Sequence, residues 1–291
     1  MSTISATPLP QTLTPEQARE MAQNQIKKHV VAVVLLHWFN AFVWLLELTT
    51  GAALIVSPSL RFMPSWYLIM MEQLFGSRAN LLRFHIAVGL VWILVCLIYV
   101  TFGWRHFLHA EVLAKEVALD RDDFEWLKMR SLALLKKSAV PLPPQGAYNA
   151  GQKLYALMVY TCLPVIMVSG SIMSFHLFGT VAVQWAIVIH FLLVGTVVSG
   201  LMVHVYMGAV FPEERPAFYS MITGMVNELY AYRHHLKWWA EIKRQQQQWE
   251  ESLKLETASP DAIGPASDGK PAPGVGSTSA YQACTADANE V

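Results

Sequence analysis

Four long apolar stretches determine what this chain can fold into. They cover about residues 29–56, 82–104, 154–175 and 181–211 of the 291. A helix needs about 20 residues to cross a hydrocarbon core of about 30 Å, and each stretch is long enough. The chain is 54% hydrophobic and only 14% charged, whereas a soluble domain carries about 25% charged residues. We therefore expect an all-α protein built on a bundle of four transmembrane helices.

The Lys and Arg residues predict how these helices are oriented. Eight of them lie in the segment 105–153, and none lies in the short turn between the third and fourth stretches. Positively charged connections stay on the cytoplasmic side of a membrane. We therefore expect a multi-pass membrane protein whose 105–153 segment and both termini are cytoplasmic.

The polar regions divide the chain further. We expect a polar N-terminal extension over 1–28, the membrane domain over 29–211, and a cytoplasmic amphipathic surface helix over 212–250. A tail over 251–291 is rich in Ser, Pro, Gly, Ala and Asp, a composition typical of disorder. Aromatic residues over 62–75 indicate either a docking surface for another subunit or packing on the chain itself.

Four histidines inside the apolar stretches match in pairs. His190 and His204 lie 14 residues apart in the fourth stretch. Fourteen residues of helix turn through about 1,400°, close to four full turns, and rise about 21 Å, so both side chains leave one face at two depths. In the predicted topology His37 lies level with His204, and His85 lies level with His190. We therefore predict the pairs His37 with His204 and His85 with His190.

Two histidine pairs at two depths of a membrane bundle predict two bis-histidine b-type haems. Histidine is a common haem ligand, and ionisable residues inside a membrane are usually functional. Zinc would need three or four ligands at one point. The sequence has no CxxC or CxxCH motif, which argues against covalently attached haem and iron–sulfur clusters. The alternative from another class is a haem-free transporter whose histidines relay protons.

The other six histidines are predicted to lie outside these sites. His29 precedes His37 by two turns and is its main rival as a ligand, but its neighbours Lys27 and Lys28 favour an interfacial position. His176 is placed at the end of the third helix. Four more are expected to be solvated: His106, His109, His234 and His235. Three glycines near the ligands allow a flat macrocycle or a neighbouring helix to come close: Gly89, Gly195 and Gly200.

Several short motifs accompany these histidines. They are His37-Trp38, His85-x-x-x-Gly89, the run YNAGQK at 148–153, and His190 with His204 followed by Tyr206-Met207. With them the sequence, over about residues 30–245, resembles the cytochrome b (gamma) subunit of respiratory membrane-bound formate dehydrogenases.

The resemblance implies two haem b groups, the inner one bound by His37 and His204 and the outer one by His85 and His190. It implies a cytoplasmic-side quinone site, for menaquinone or ubiquinone, lined by four residues: Asn149, Gly151, Gln152 and His204. The chain would then be the quinone-reducing subunit of an oxidoreductase complex in a bacterial inner membrane, serving anaerobic respiration through a proton-motive redox loop.

The resemblance also implies partners. Electrons are expected to arrive from an iron–sulfur (beta) subunit, and formate oxidation is expected on a molybdenum- or tungsten-containing catalytic (alpha) subunit. The chain would be part of a hetero-oligomer in contact with membrane lipid, and no motif indicates nucleic-acid binding. Members of the family often carry an acid–Arg pair before the first histidine, where this chain has the apolar residues 33–36. Three other cations could neutralise the inner haem's propionates: Lys27, Lys28 and Arg215.

Alternatives stay open at this point. Taken without the resemblance, Asn149 could simply cap the third helix and Gly151 could relieve packing. The soluble partner could belong to another quinone-linked complex, such as a nickel–iron hydrogenase or a thiosulfate reductase. A stand-alone carrier of the cytochrome b561 type would use the same haem arrangement with no partner.

Overall fold

The computed structural model describes residues 13–106, 116–136 and 141–258. In chain order its elements are α1 (Pro15–Gln23), β1 (Gln25–Lys27), α2 (Val31–Leu54), α3 (Ser65–Phe75), α4 (Arg78–His106), α5 (Arg121–Lys136), α6 (Ala150–Phe175), α7 (Gly179–Val205), α8 (Arg215–Thr223), β2 (Met225–Asn227), α9 (Glu228–His234) and α10 (Leu236–Ala258). A π-helical turn, Tyr206–Val210, extends α7, and a 3₁₀ turn, Pro212–Glu214, leads into α8.

The described residues fall into two compact units. One comprises the described residues within Lys28–Val226, and the other combines the described parts of Met1–Lys27 and Asn227–Val291, which are 13–27 and 227–258. The first unit holds four helices that are long and apolar enough to span a membrane: α2, α4, α6 and α7. The predicted four-helix membrane bundle is thereby confirmed at the level of its helices.

The membrane helices pack in two neighbouring pairs, α2 with α4 and α6 with α7. A short turn joins α6 to α7, and it holds His176 and Phe178 in the left-handed region at φ 50° and 62°. His176 therefore lies at the end of α6, as predicted. Because this connection is so short, α6 and α7 run antiparallel along each other.

The connection between α2 and α4 contains the helix α3. On this helix, Met71 is buried against Ala53 of α2 and Leu81 of α4, and Tyr67 and other apolar side chains pack around them. Trp66 on the same helix remains 65% exposed. The aromatic segment thus packs partly on its own chain and still presents an open apolar surface.

The prediction of one surface helix over 212–250 is wrong, because the chain turns at Gly224 and again at His235. Gly224 has φ 76°, and a Cβ there would lie 2.7 Å from the carbonyl oxygen of His29. Its own carbonyl accepts hydrogen bonds from the amides of Lys28 and His29. Only glycine tolerates this conformation and this approach, so α8 ends there.

The second unit is more ordered than its polar sequence suggests. Thr14 and Gln17 form a capping box at the start of α1, inside the predicted N-terminal extension. Helix α10 continues to Ala258, so the expectation of disorder is wrong for residues 251–258. The rest of the predicted tail lies outside the described residues.

A buried carboxylate organises this unit. Glu228 is 4% exposed, and it accepts hydrogen bonds from the Asn24 amide at 3.2 Å and the Trp239 indole at 2.9 Å. Its ion pair with Lys243 is 2.7 Å long. The predicted solvation of His235 is wrong, since the side chain is fully buried. His234 stacks on a tyrosine ring, the side chain of His106 is not described, and His109 lies outside the described residues.

Candidate functional site

The first predicted histidine pair comes together near the start of α2 and the end of α7. The ring centroids of His37 and His204 are 6.4 Å apart, with the planes inclined at 59°. Tyr155 of α6 stacks on His204 at 4.8 Å. Next to His37, the Trp38 indole donates a 2.6 Å hydrogen bond to the carbonyl of Met221. Three membrane helices and α8 therefore fix this pair.

The residues of the second predicted pair, on α4 and α7, lie toward the other end of the bundle. His85 of α4 packs against Glu47 and Thr50 of α2, and His190 of α7 packs against Ile166 and Ser169 of α6. The Nδ1 atom of His85 lies 2.7 Å from Glu47 Oε2 and 2.9 Å from Thr50 Oγ1, both on α2. Contacts between α4 and α2 therefore hold His85 in place.

His190 is oriented by α6. Its Nδ1 atom lies 3.2 Å from the carbonyl oxygen of Ile166 and 3.1 Å from Ser169 Oγ. Glycines admit both rings of this pair: a Cβ on Gly51 would lie 3.2 Å from His85, and one on Gly170 would lie 3.4 Å from His190.

The glycines predicted from sequence have other neighbours. A Cβ on Gly89 would lie 3.6 Å from Glu47, and one on Gly200 would overlap the side chain of Met158, whereas Gly195 faces open space. Gly51 and Gly170 were therefore missed, because sequence spacing relates a histidine only to glycines on its own helix.

The geometry fits a metal bound by two histidines. Two imidazoles on opposite sides of one metal ion, with metal–nitrogen bonds of about 2.0 Å, have centroids about 6 Å apart. The separation of His37 and His204 is 6.4 Å. At the other pair, Nδ1 of each ring is engaged, which leaves Nε2 for a metal, as is usual for ligand histidines. Two ligands at each point suit a cofactor that supplies its own equatorial ligands.

A packed apolar layer lies between the two pairs. Val197, midway between His190 and His204 on α7, is 2% exposed, and Trp92 is 5% exposed. The Trp92 indole donates a 2.8 Å hydrogen bond to Asn40 Oδ1 and meets Trp44 edge to face. This layer keeps the two sites as separate centres in one bundle.

Three of the four predicted quinone residues lie at the start of α6, about one turn before Tyr155, and the fourth, His204 of α7, stacks on the Tyr155 ring. Asn149 Oδ1 accepts a 2.9 Å hydrogen bond from the Gln152 amide, and Gln152 Oε1 accepts a 3.0 Å bond from the Asn149 amide. This capping box is the structural role considered as an alternative for Asn149. Gly151 lies against the ring of Trp126 on α5. Quinone binding by these residues stays a prediction.

A buried ion pair fastens α5 beside these residues. Lys153 Nζ lies 2.8 Å from Asp123 Oδ2, and the two side chains are 8% and 2% exposed. Lys153 also donates to the carbonyl of Ala118 at 3.1 Å. The Asp123 amide in turn donates to Asp120 Oδ1 at 2.9 Å. Sequence reasoning counted Lys153 as one of the positive charges of the 105–153 segment and as the last residue of the run YNAGQK, but it did not predict the ion pair.

Burial also alters two ionisable groups near this end of α6. It lowers the pKa of Lys28 to about 8, although Glu214 and Glu116 act against the shift. The Lys28 ammonium lies 5.8 Å from the centre of the Tyr148 ring. Burial and then the neighbouring Lys28 lower the pKa of His29 to about 4. His29 is thus a buried neutral side chain, where the sequence predicted an interfacial one.

Glu47 is the functional candidate that sequence reasoning missed. It is the one Asp or Glu in the four described membrane spans. That isolation was the available signal, because a charged group at such a depth is costly and usually has a role. Its partner could not be read from the sequence, since His85 lies 38 residues further along the chain.

The chain is similar to known membrane cytochromes. The profile of the family described as prokaryotic cytochrome b561 matches residues 28–224. The formate dehydrogenase cytochrome b556(fdo) subunit of Escherichia coli K12 is 24% identical over 213 residues, which cover 72% of this chain and 89% of that subunit. The nitrate-inducible cytochrome b556(Fdn) subunit from the same organism is 26% identical over 129 residues, 43% of this chain and 58% of that subunit.

A third relative is the formate dehydrogenase cytochrome b556 subunit of Haemophilus influenzae. It is 21% identical over 221 residues, which cover 75% of this chain and 83% of that subunit. The resemblance predicted from the motifs is confirmed by these matches. The matched region of the family profile contains all four paired histidines and the run 148–153.

Proposed function

This chain belongs to the prokaryotic cytochrome b561 family, and we propose that it is the membrane cytochrome b subunit of a formate dehydrogenase. The observation that carries the proposal is the pairing of His37 with His204 across α2 and α7. His85 and His190 both lie toward the other end of the bundle, each with Nδ1 engaged by a neighbouring helix. The three relatives named above are all formate dehydrogenase subunits. They support a formate dehydrogenase as the complex to which this chain belongs.

The two pairs would hold two haem b groups, which supply one-electron transfer across the bilayer between an iron–sulfur partner and a quinone. The protein's part is to fix the ligand nitrogens. Hydrogen bonds at Nδ1 orient His85 and His190, and the stacked ring of Tyr155 orients His204. The packed layer around Trp92 and Val197 excludes water between the two centres.

We propose the quinone site beside Tyr155 and His204, at the start of α6, because the predicted residues of α6 lie next to the stacked rings of this pair. The side-chain oxygens of Asn149 and Gln152 are occupied by the capping box, so their amide NH₂ groups are the donors left to meet quinone carbonyl oxygens. A quinone takes two protons with its two electrons. Lys28, whose pKa is about 8, is suited to give a proton near neutral pH.

Orientation and partners follow from the charge pattern and the relatives. The basic connection between α4 and α6 supports an orientation in a bacterial inner membrane with the quinone end and both termini in the cytoplasm. The iron–sulfur subunit then docks at the opposite face, where Phe62 and Trp66 are 61% and 65% exposed. A separate molybdenum- or tungsten-containing subunit oxidises formate.

The first test is a reduced-minus-oxidised spectrum with pyridine haemochrome quantitation on the purified chain. We expect two haem b per chain, and one in His204→Ala and in His85→Ala. His176→Ala, in the turn after α6, is the matched control and should keep two. A colourless wild-type protein, prepared with adequate haem supply, would contradict the proposal and favour the proton-relay alternative.

The quinone site is tested by two substitutions at one position. Asn149→Ser keeps a good helix cap and removes the amide donor, whereas Asn149→Ala removes both. We expect both variants to slow reoxidation of the reduced protein by a water-soluble quinone, with only Asn149→Ala losing thermal stability. If Asn149→Ser behaves as wild type in both assays, the residue acts as a cap alone.

One observation favours a second candidate. The matching profile describes cytochrome b561 proteins in general, so a stand-alone carrier without soluble partners is compatible with the same bundle. Affinity purification of the chain from its native membrane separates the two. Co-purifying iron–sulfur and molybdenum or tungsten subunits support the dehydrogenase, and a single-chain quinol-oxidising cytochrome supports the carrier.

A further inference from the structure

Glu47 is an isolated carboxylate in the middle of an apolar helix. The side chain is 19% exposed, and its Oε2 atom lies 2.7 Å from Nδ1 of His85. Its Oε1 atom is buried without a hydrogen-bond partner among the described residues. A carboxylate at this depth is costly. The pairing with a ligand histidine gives the position a functional reason.

The hydrogen bonds around His85 define which ring nitrogen carries the proton. The hydroxyl of Thr50 donates to the carbonyl of Leu46 at 2.7 Å, so toward His85 Nδ1, at 2.9 Å, its oxygen can only accept. A carboxylate also accepts. Nδ1 therefore carries the proton, and Nε2 presents its lone pair.

The two ligands of this site differ in their hydrogen-bond acceptors. His190 Nδ1 meets a backbone carbonyl and the hydroxyl of Ser169, which are neutral groups. His85 Nδ1 meets a carboxylate. A carboxylate acceptor raises the basicity of a ligand imidazole more than a neutral acceptor does, and a more basic ligand stabilises the oxidised metal. In the other pair the rings of Trp38 and Tyr155 face the ligands.

We propose that Glu47 is the positioning residue of the haem site formed by His85 and His190: it fixes Nε2 of His85 as the iron ligand and makes this site the lower-potential one. This inference rests on the proposed function, because it assumes haem at this pair. The ordering favours electron transfer from the His85 site toward the His37 site. The hydrogen bond between His85 and Glu47 would then help to set the direction of electron transfer.

The test is a redox titration of Glu47 variants in the His204→Ala background, which retains only the haem in question. Glu47→Gln keeps an acceptor oxygen and removes the charge, and we expect the equilibrium constant for reduction to rise about tenfold, which is about 59 mV for a one-electron couple. Glu47→Ala should raise this equilibrium constant further or leave the protein without this haem. Thr49→Val, on the exposed side of α2, is the control and should leave the potential unchanged.

The outcomes separate this inference from the proposed function. The role of Glu47 is refuted if the His204→Ala protein holds one haem and both Glu47 variants reduce with an equilibrium constant within twofold of that protein's. The haem assignment would then still stand. If wild-type protein holds no haem, the proposed function itself fails. A raised potential, or loss of this haem from Glu47→Ala with retention in Glu47→Gln, supports the inference.

Discussion

Replacing Lys153 by Met should release α5 from the start of α6. The Lys153–Asp123 pair is 2.8 Å long, with side-chain exposures of 8% and 2%. At that separation the attraction is about 6 kcal/mol for an effective dielectric constant of about 20. Removing one partner of a buried pair costs about 3–5 kcal/mol, because the remaining charge stays buried and unpaired. Most of that loss should be local to α5.

Hydrogen–deuterium exchange of the detergent-solubilised protein measures this effect directly. A loss of 3–5 kcal/mol in local opening free energy should speed amide exchange in α5 at least a hundredfold, since each 1.4 kcal/mol is about tenfold. The amides of α7 should change little. Lys128→Met is the matched control, because Lys128 lies on the exposed side of α5.

A double-mutant cycle removes the ambiguity of the single change. The double variant Asp123→Asn with Lys153→Met leaves neither charge of the buried pair. It should therefore recover part of the stability that Lys153→Met loses. If Lys153→Met exchanges like Lys128→Met, the ion pair does not hold α5 and this reasoning is wrong.

Two further predictions concern packing and pH. Gly200→Ala puts a Cβ against a methionine and a tyrosine side chain and should lower the unfolding free energy by about 1–3 kcal/mol. Gly195→Ala is the control, because open space lies beside Gly195, and it should leave the unfolding free energy unchanged. The denaturant midpoints of the two variants in detergent measure the difference. Burial opposes ionisation of Glu228, but hydrogen bonds from Lys243, Trp239 and Asn24 outweigh it and lower its pKa below 4.5. The stabilisation is therefore fully present above pH 4.5 and is lost as the pH falls through the lowered pKa. Protection of the α9 amides from hydrogen exchange should fall on acidification in the wild-type protein. It should vary less with pH in Glu228→Gln.

The sequence alone determined the features that depend on local periodicity. The 14-residue spacing places His190 and His204 on one face because the helix repeat fixes it. The four spans follow from length and hydropathy, as confirmed. The capping box of Asn149 and Gln152 is a contact between residues three apart, so the local rules for helix starts suffice to anticipate it.

Tertiary structure decided the contacts between distant residues. Glu47 meets His85, and His37 meets His204, only because helices far apart in sequence pack together. The break at Gly224 likewise depends on the backbone of His29, nearly 200 residues earlier. Periodicity reports which face of a helix is apolar, but it carries no information on which residue of another helix that face will meet. The hydrogen bonds that orient the ligands are therefore properties of the packed bundle.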